Sequence, residues 1–156
     1  MKIDLLQIPV ESGTSYPDEF KARVTGRSRQ RVGDAAGLKN LGVNLTTLEP
    51  DSQSALRHWH SDQDEFVYIL QGEVVMVTDE GEQTLSAGDM AGFAAGVKNG
   101  HHLINRSDAP AVYLEVGDRT APDQVEYPDD NLFFALTETG QRRFARTDGR
   151  AYKRGR

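Results

Sequence analysis

Residues 58–72 read HWHSDQDEFVYILQG. In a β-strand residues i and i+2 face the same side, so the imidazoles of His58 and His60 can converge on one ion while Trp59 points the other way. Glu65 opens an apolar run to Gln71, and Gly72 marks a turn after it. The remaining histidines, His101 and His102, form a second cluster. A third imidazole from that distant stretch would complete a mixed nitrogen and oxygen set that suits Fe, Mn, Zn, Ni or Co. The chain has no cysteine, so thiolate ligation and disulfides are both excluded.

Around this stretch the middle of the chain reads as short strands, rich in β-branched and aromatic residues, separated by turns about ten residues apart. The candidates are Gly42 to Leu48, Leu56 to His60, Glu65 to Gln71, Val74 to Asp79, Glu82 to Leu85, Met90 to Ala94, His101 to Asn105 and Ala111 to Val116. Breaks such as Glu49-Pro50-Asp51, Ala87-Gly88-Asp89 and Asn105 to Pro110 carry turn chemistry. Eight such strands imply an all-β closed barrel or jelly roll, an arrangement that leaves no exposed edge.

A chain of 156 residues is expected to be a single domain that buries roughly 70% of its unfolded surface. Within it we expect an N-terminal arm over 1–35, punctuated by Pro and Gly, with one short strand or helical turn near Asp18 to Val24. The barrel follows over 36–120, and a C-terminal extension over 121–156 loses its pattern between Pro122 and Pro128 and regains a strand around Leu132 to Leu136. The opening apolar run is broken by Asp4 and Pro9, so neither a signal peptide nor a spanning helix is expected there, and a soluble cytoplasmic protein without a membrane partner is the expectation.

The net charge of −6 is segregated. Residues 51–139 hold 17 acids against 4 bases, whereas residues 140–156 hold one acid, Asp148, against seven bases. The tail Arg142-Arg143-Phe144-Ala145-Arg146 interleaves an aromatic with cations as single-strand binders do, but an acidic body repels phosphate backbones. We therefore expect no nucleic-acid partner. The tail is expected to lie across the acidic body or a partner subunit, with Phe144 and Tyr152 as buried anchors.

At the two histidine clusters the sequence resembles the cupin superfamily, the double-stranded β-helix barrels. His58-x-His60, four residues, Glu65, six residues and Gly72 reproduce the first cupin motif, with Ser52 where a leading Gly belongs. In the second motif Gly88, Gly96 and Asn105 match, Ala94 stands for the usual Pro, and the histidine arrives two residues late, with Asn99 at the strict position. The downstream Asn105 selects His101 over His102, and His101, Leu103 and Asn105 share a strand face. The resemblance spans about residues 36–120. It implies one divalent transition metal ion held by His58, His60, Glu65 and His101, a small-molecule substrate, and a homodimer formed by exchange of N-terminal strands. Residues 99–108 and 113–117 look like a subgroup of small bacterial cupins, some of which carry sugar-phosphate isomerase-like labels.

Three nitrogens and one carboxylate would leave up to two open positions on a six-coordinate ion, able to polarise a carbonyl, stabilise an enediolate or acidify a water. The expected function is a metal-dependent enzyme on a small oxygen-rich metabolite, of isomerase type or, with iron, of dioxygenase type. The alternatives are a non-catalytic binding or sensing module and a structural barrel with a vestigial site. His102 and Tyr68 are the candidate acid–base groups, and Arg57 and Lys98 flank the motifs where they could meet an anionic substrate. Met76 and Phe93 are read as core or pocket wall.

Overall fold

The computed structural model describes residues 2–152. Fourteen strands form among them: β1 Glu11–Ser12, β2 Arg27–Gln30, β3 Leu41–Leu48, β4 Ser52–Gln53, β5 Trp59–His60, β6 Glu65–Gln71, β7 Glu73–Thr78, β8 Gly81–Ser86, β9 Met90–Phe93, β10 His102–Asn105, β11 Ala111–Asp118, β12 Asp123–Tyr127, β13 Leu132–Leu136 and β14 Arg142–Ala145. Two one-turn α-helices, α1 Asp18–Lys21 and α2 Val32–Ala35, and two 3-10 turns, Leu5–Gln7 and Ala22–Val24, complete the described elements. No helix among the described residues is long and apolar enough to cross a membrane.

The expected all-β architecture is what forms. A six-stranded sheet in the order β1-β2-β3-β11-β6-β9 faces a four-stranded sheet in the order β4-β10-β7-β8, and every paired strand is antiparallel. Alternation sorts the side chains of each strand: Val67 and Ile69 of β6 point inward while Phe66 and Leu70 remain exposed. The inward residues Leu48, Val67, Ile69, Val74, Leu85, Leu103, Ala111 and Tyr113 make one core between the two sheets. Each large apolar member contributes about 1.5–3 kcal/mol through burial.

A second core lies outside the barrel. β14-β13-β12-β5 form a further antiparallel sheet, and α1 with the turn after it packs on that sheet through Tyr16, Phe20, Val24, Leu56, Val125, Tyr127 and Leu132. The stretch 122–128, which read as patternless, is a strand. Its burial alternates strictly, with Asp123, Val125 and Tyr127 inward and Gln124 and Glu126 outward, and the pattern was hidden because its first inward residue is an acid. The start of the basic tail is also a strand: β14 pairs with β13, Phe144 packs 4.9 Å from Phe134, and Tyr152 meets Phe20 edge-on at 5.6 Å. Residues 153–156 of that tail lie outside the described residues.

The polar stretch Arg23 to Arg31, assigned to an arm, provides β2, which pairs with β3 over Arg27–Leu48 to Gln30–Leu45. Of the strand read at Leu56 to His60, only Trp59–His60 is regular, and it pairs with β12 rather than within the barrel. Where the first motif lacks its Gly, the turn is made one residue earlier, by Asp51 at φ 58, which an aspartate tolerates better than most residues.

Candidate metal centre

Three separate backbone decisions bring the site together. β5 delivers His60, an isolated bridge between His58 and His101 sets those two residues opposite one another, and the first residue of β6 is Glu65. The three imidazoles surround one oxygen: Glu65 Oε2 lies 2.9 Å from His101 Nε2, 3.4 Å from His58 Nε2 and 3.5 Å from His60 Nε2. His58, His60 and Glu65 form a group whose donor atoms all lie within 4.8 Å of one another. His101 stands just outside that group and donates an N–H to Glu65 instead.

The far nitrogens show which tautomers the fold selects. His58 Nδ1–H donates to the Leu56 carbonyl at 2.7 Å, and His60 Nδ1–H donates to Asp123 Oδ2 at 2.7 Å. Both arrangements leave the Nε2 lone pair directed at the cluster, the orientation a metal-binding imidazole requires. His101 Nδ1 is buried without a partner, and that ring is held by Phe93, which stacks on it at 3.5 Å and 3°. The donor set therefore suits a borderline divalent ion.

Electrostatics within the site are self-consistent. Burial acts to raise the Glu65 pKa, but the hydrogen bond from His101 and the facing His58 and His60 imidazoles hold it well below the usual carboxylate range. Burial likewise opposes charge on His60, yet its bond to Asp123 and the nearby Glu65 raise its pKa overall. Burial dominates at His101 and lowers it. The result is an anionic carboxylate ringed by imidazoles of unequal basicity.

Other residues singled out from the sequence divide. His102 turns Nδ1 to the Ala55 carbonyl at 3.1 Å and lines a cavity of about 180 Å³ beneath the cluster together with His58 and Tyr113. Tyr68 alternates with the buried Val67 and Ile69 and so faces outward, away from the site. Arg57 is not free to bind an anion: Asp129 grips it at 2.6 and 2.7 Å, and Asp79 takes its remaining fork. Lys98 lies 5.6 Å over the Trp59 ring. Asn99, at the strict histidine position, accepts the Asp79 N–H at 2.8 Å, and so fixes the loop that the two inserted residues lengthen. Gly100 is required beside it, because a Cβ there would meet Pro128 at 2.9 Å.

Two residues of the site were missed. Asp123, 1% exposed, comes from the stretch that seemed patternless; Tyr127, from the same strand, packs 5.8 Å from His58. A period-two reading of Val125 and Tyr127 extended back to Asp123 would have found both.

A cupin-domain family model matches residues 44–117. A structure from Silicibacter pomeroyi, described as a sugar phosphate isomerase from a cupin superfamily, is similar over 98% of this chain and 97% of its own, at 44% identity and a TM-score of 0.93. The chain belongs to the cupin superfamily. Another cupin-fold structure, from Acidithiobacillus ferrooxidans and described only provisionally as a sugar phosphate isomerase, is 26% identical over 83% of this chain and 81% of its own, with a TM-score of 0.73. The polyketide cyclase RemF of Streptomyces resistomycificus shares the fold alone, at 14% identity over 79% of this chain and 82% of its own, with a TM-score of 0.64. No curated protein matches this cupin in sequence.

Proposed function

We propose that this cupin is a metal-dependent enzyme of isomerase type acting on a small, oxygen-rich metabolite of the sugar-phosphate class. The observation that carries the reading is the convergence of three imidazoles on one carboxylate oxygen at the wall of a cavity of about 960 Å³. The Silicibacter pomeroyi relative, similar over nearly its full length, supports the substrate class.

In this reading His58, His60 and Glu65 hold one divalent ion, and His101 gives up its hydrogen bond to Glu65 to become the fourth ligand. When bound, the ion supplies the positive charge that polarises a carbonyl or acidifies a water. The chain does the rest. Asp123 and the Leu56 carbonyl fix the tautomers of His60 and His58, the Phe93 face keeps His101 from rotating, and Phe93 with Trp59 and Val97 forms an apolar wall beside the cluster. A dioxygenase, which needs iron, and a binding or sensing module are the competing readings.

We also propose that the protein acts in the cytoplasm as a homodimer. The outer face of the six-stranded sheet exposes Phe66, Leu70 and Met90 at 41%, 43% and 60%, an apolar surface suited to a second copy.

Plasma mass spectrometry on untagged protein tests the metal reading, with a His58→Ala variant as control. Near one ion per chain, lost in the variant, is the expected result. Less than about a tenth of an ion, unchanged after reconstitution, would overturn it.

A further inference from the structure

The cavity that reaches His60 and Glu65 also contains a cation without a hydrogen bond. Register places it: Arg29 of β2 lies opposite Thr46 of β3, and Thr46 lies opposite Tyr113 of β11, so these three form one row on the inner face of the barrel. Among the described residues Arg29 makes no hydrogen bond, and its nearest carboxylate, Glu115 Oε1, is 3.9 Å away, beyond hydrogen-bond reach. That oxygen already accepts from Asn44 Nδ2 at 3.0 Å. Arg27, by contrast, donates to the carbonyls of Ser54 and Gly13.

Behind Arg29 the row ends in two buried hydroxyls, Thr46 Oγ1 and Tyr113 Oη, which are 0% and 1% exposed by residue and have no partner. Buried polar groups are rarely left unpaired, and here two of them share a register row with an arginine that has unused donors. Of these unmet groups the guanidinium fork lines the cavity, and it suits an anion's oxygens.

Glu115 sits two residues from Gly117, which pairs directly with Glu65, and Arg29, Glu115, Gly117, Glu65 and His60 all line the same cavity.

We propose that Arg29 is the subsite that receives the terminal phosphate or carboxylate of a ligand whose carbonyl end meets the His58/His60/Glu65 cluster. It rests on the functional reading above and adds the residue that selects the substrate's charge.

Calorimetry on metal-loaded protein tests it, with D-ribose 5-phosphate and D-glucuronate as anionic probes and D-ribose and D-glucose as neutral ones. Wild-type protein binds at least one anionic probe more tightly than its neutral counterpart, and which one it prefers separates phosphate from carboxylate. Arg29→Gln weakens that probe by about tenfold or more while neutral sugars change less than about twofold, and Arg29→Lys recovers part of the loss. Should Arg29→Gln fail to fold, Arg29→Lys, which keeps the charge but loses the fork, decides by weakening the anionic probe alone. The proposal is overturned if wild type shows no preference for either anion, if Arg29 variants bind as wild type does, or if Arg142→Gln, at the exposed mouth, carries the loss instead. Metal content measured on every sample separates the two ideas: normal metal without Arg29-dependent selectivity sinks this one, whereas missing metal with that selectivity intact sinks only the reading beneath it.

Discussion

Asp123→Asn changes one oxygen to an amino group, and the surroundings of Asp123 leave that group no comfortable place. Oδ2 accepts from His60 Nδ1 at 2.7 Å, and Oδ1 accepts the Asp62 N–H at 3.1 Å with Ser61 Oγ at 3.5 Å. If the new amino group faces His60, two donors meet and the imidazole must change tautomer, placing its proton on Nε2, the atom turned toward Glu65. If it faces Asp62, that amide loses its acceptor. Either way one hydrogen bond to a charged group is lost in a residue 1% exposed, a cost of about 1.5–3 kcal/mol. At 1.4 kcal/mol per factor of ten, that is about 10- to 100-fold in metal affinity when the loss falls on His60. A competitive chelator titration with Zn²⁺ or Co²⁺, run beside thermal melting of the metal-free protein, reads the two consequences separately. Affinity within about threefold of wild type, with only the melting temperature lowered, would refute the idea that Asp123 orients the site.

His101→Ala is expected to lower metal affinity by at least tenfold while His102→Ala stays within about threefold; the reverse order would reassign the third imidazole. Light scattering at micromolar concentration is expected to return twice the chain mass, and a monomer mass would remove the homodimer. The Arg57 bond to Asp129 holds that carboxyl below its ordinary pKa, so the stabilisation is present at neutral pH and is lost as pH falls through the depressed value. Arg57→Met should therefore be less stable than wild type at pH 7, with the gap in urea midpoints closing at about pH 3. An equal gap at both pH values would contradict it.

The barrel was legible because its strands announce themselves by period two. β6 begins and ends at the residues read from the sequence, Glu65 and Gln71, since Val67 and Ile69 inward and Glu65 at its start leave one consistent phase. Legibility failed where the inward residue is polar. Arg27 and Arg29 of β2 and Asp123 of β12 occupy interior positions that apolar residues fill elsewhere, so both strands looked like unpatterned connections. Arg57 misled for a related reason: a cation beside a motif suggests a ligand, while the carboxylates that neutralise it, Asp79 and Asp129, come from distant loops that no local spacing could bring into view. Of the site, the His58, His60 and Glu65 group was readable from spacing alone; the residues that orient it were not.

That the sheet outside the barrel supplies Asp123 to His60 ties two events that a chain diagram would separate. A coupling free energy between two equilibria is reciprocal. Whatever factor docking of β12–β14 adds to the affinity of the ion, the ion must add to the docking of β12–β14. A metal bound at the edge of the barrel would then act as a clasp for the C-terminal third of the chain, and proteolysis or hydrogen exchange in that sheet would register metal occupancy from residues that never touch it.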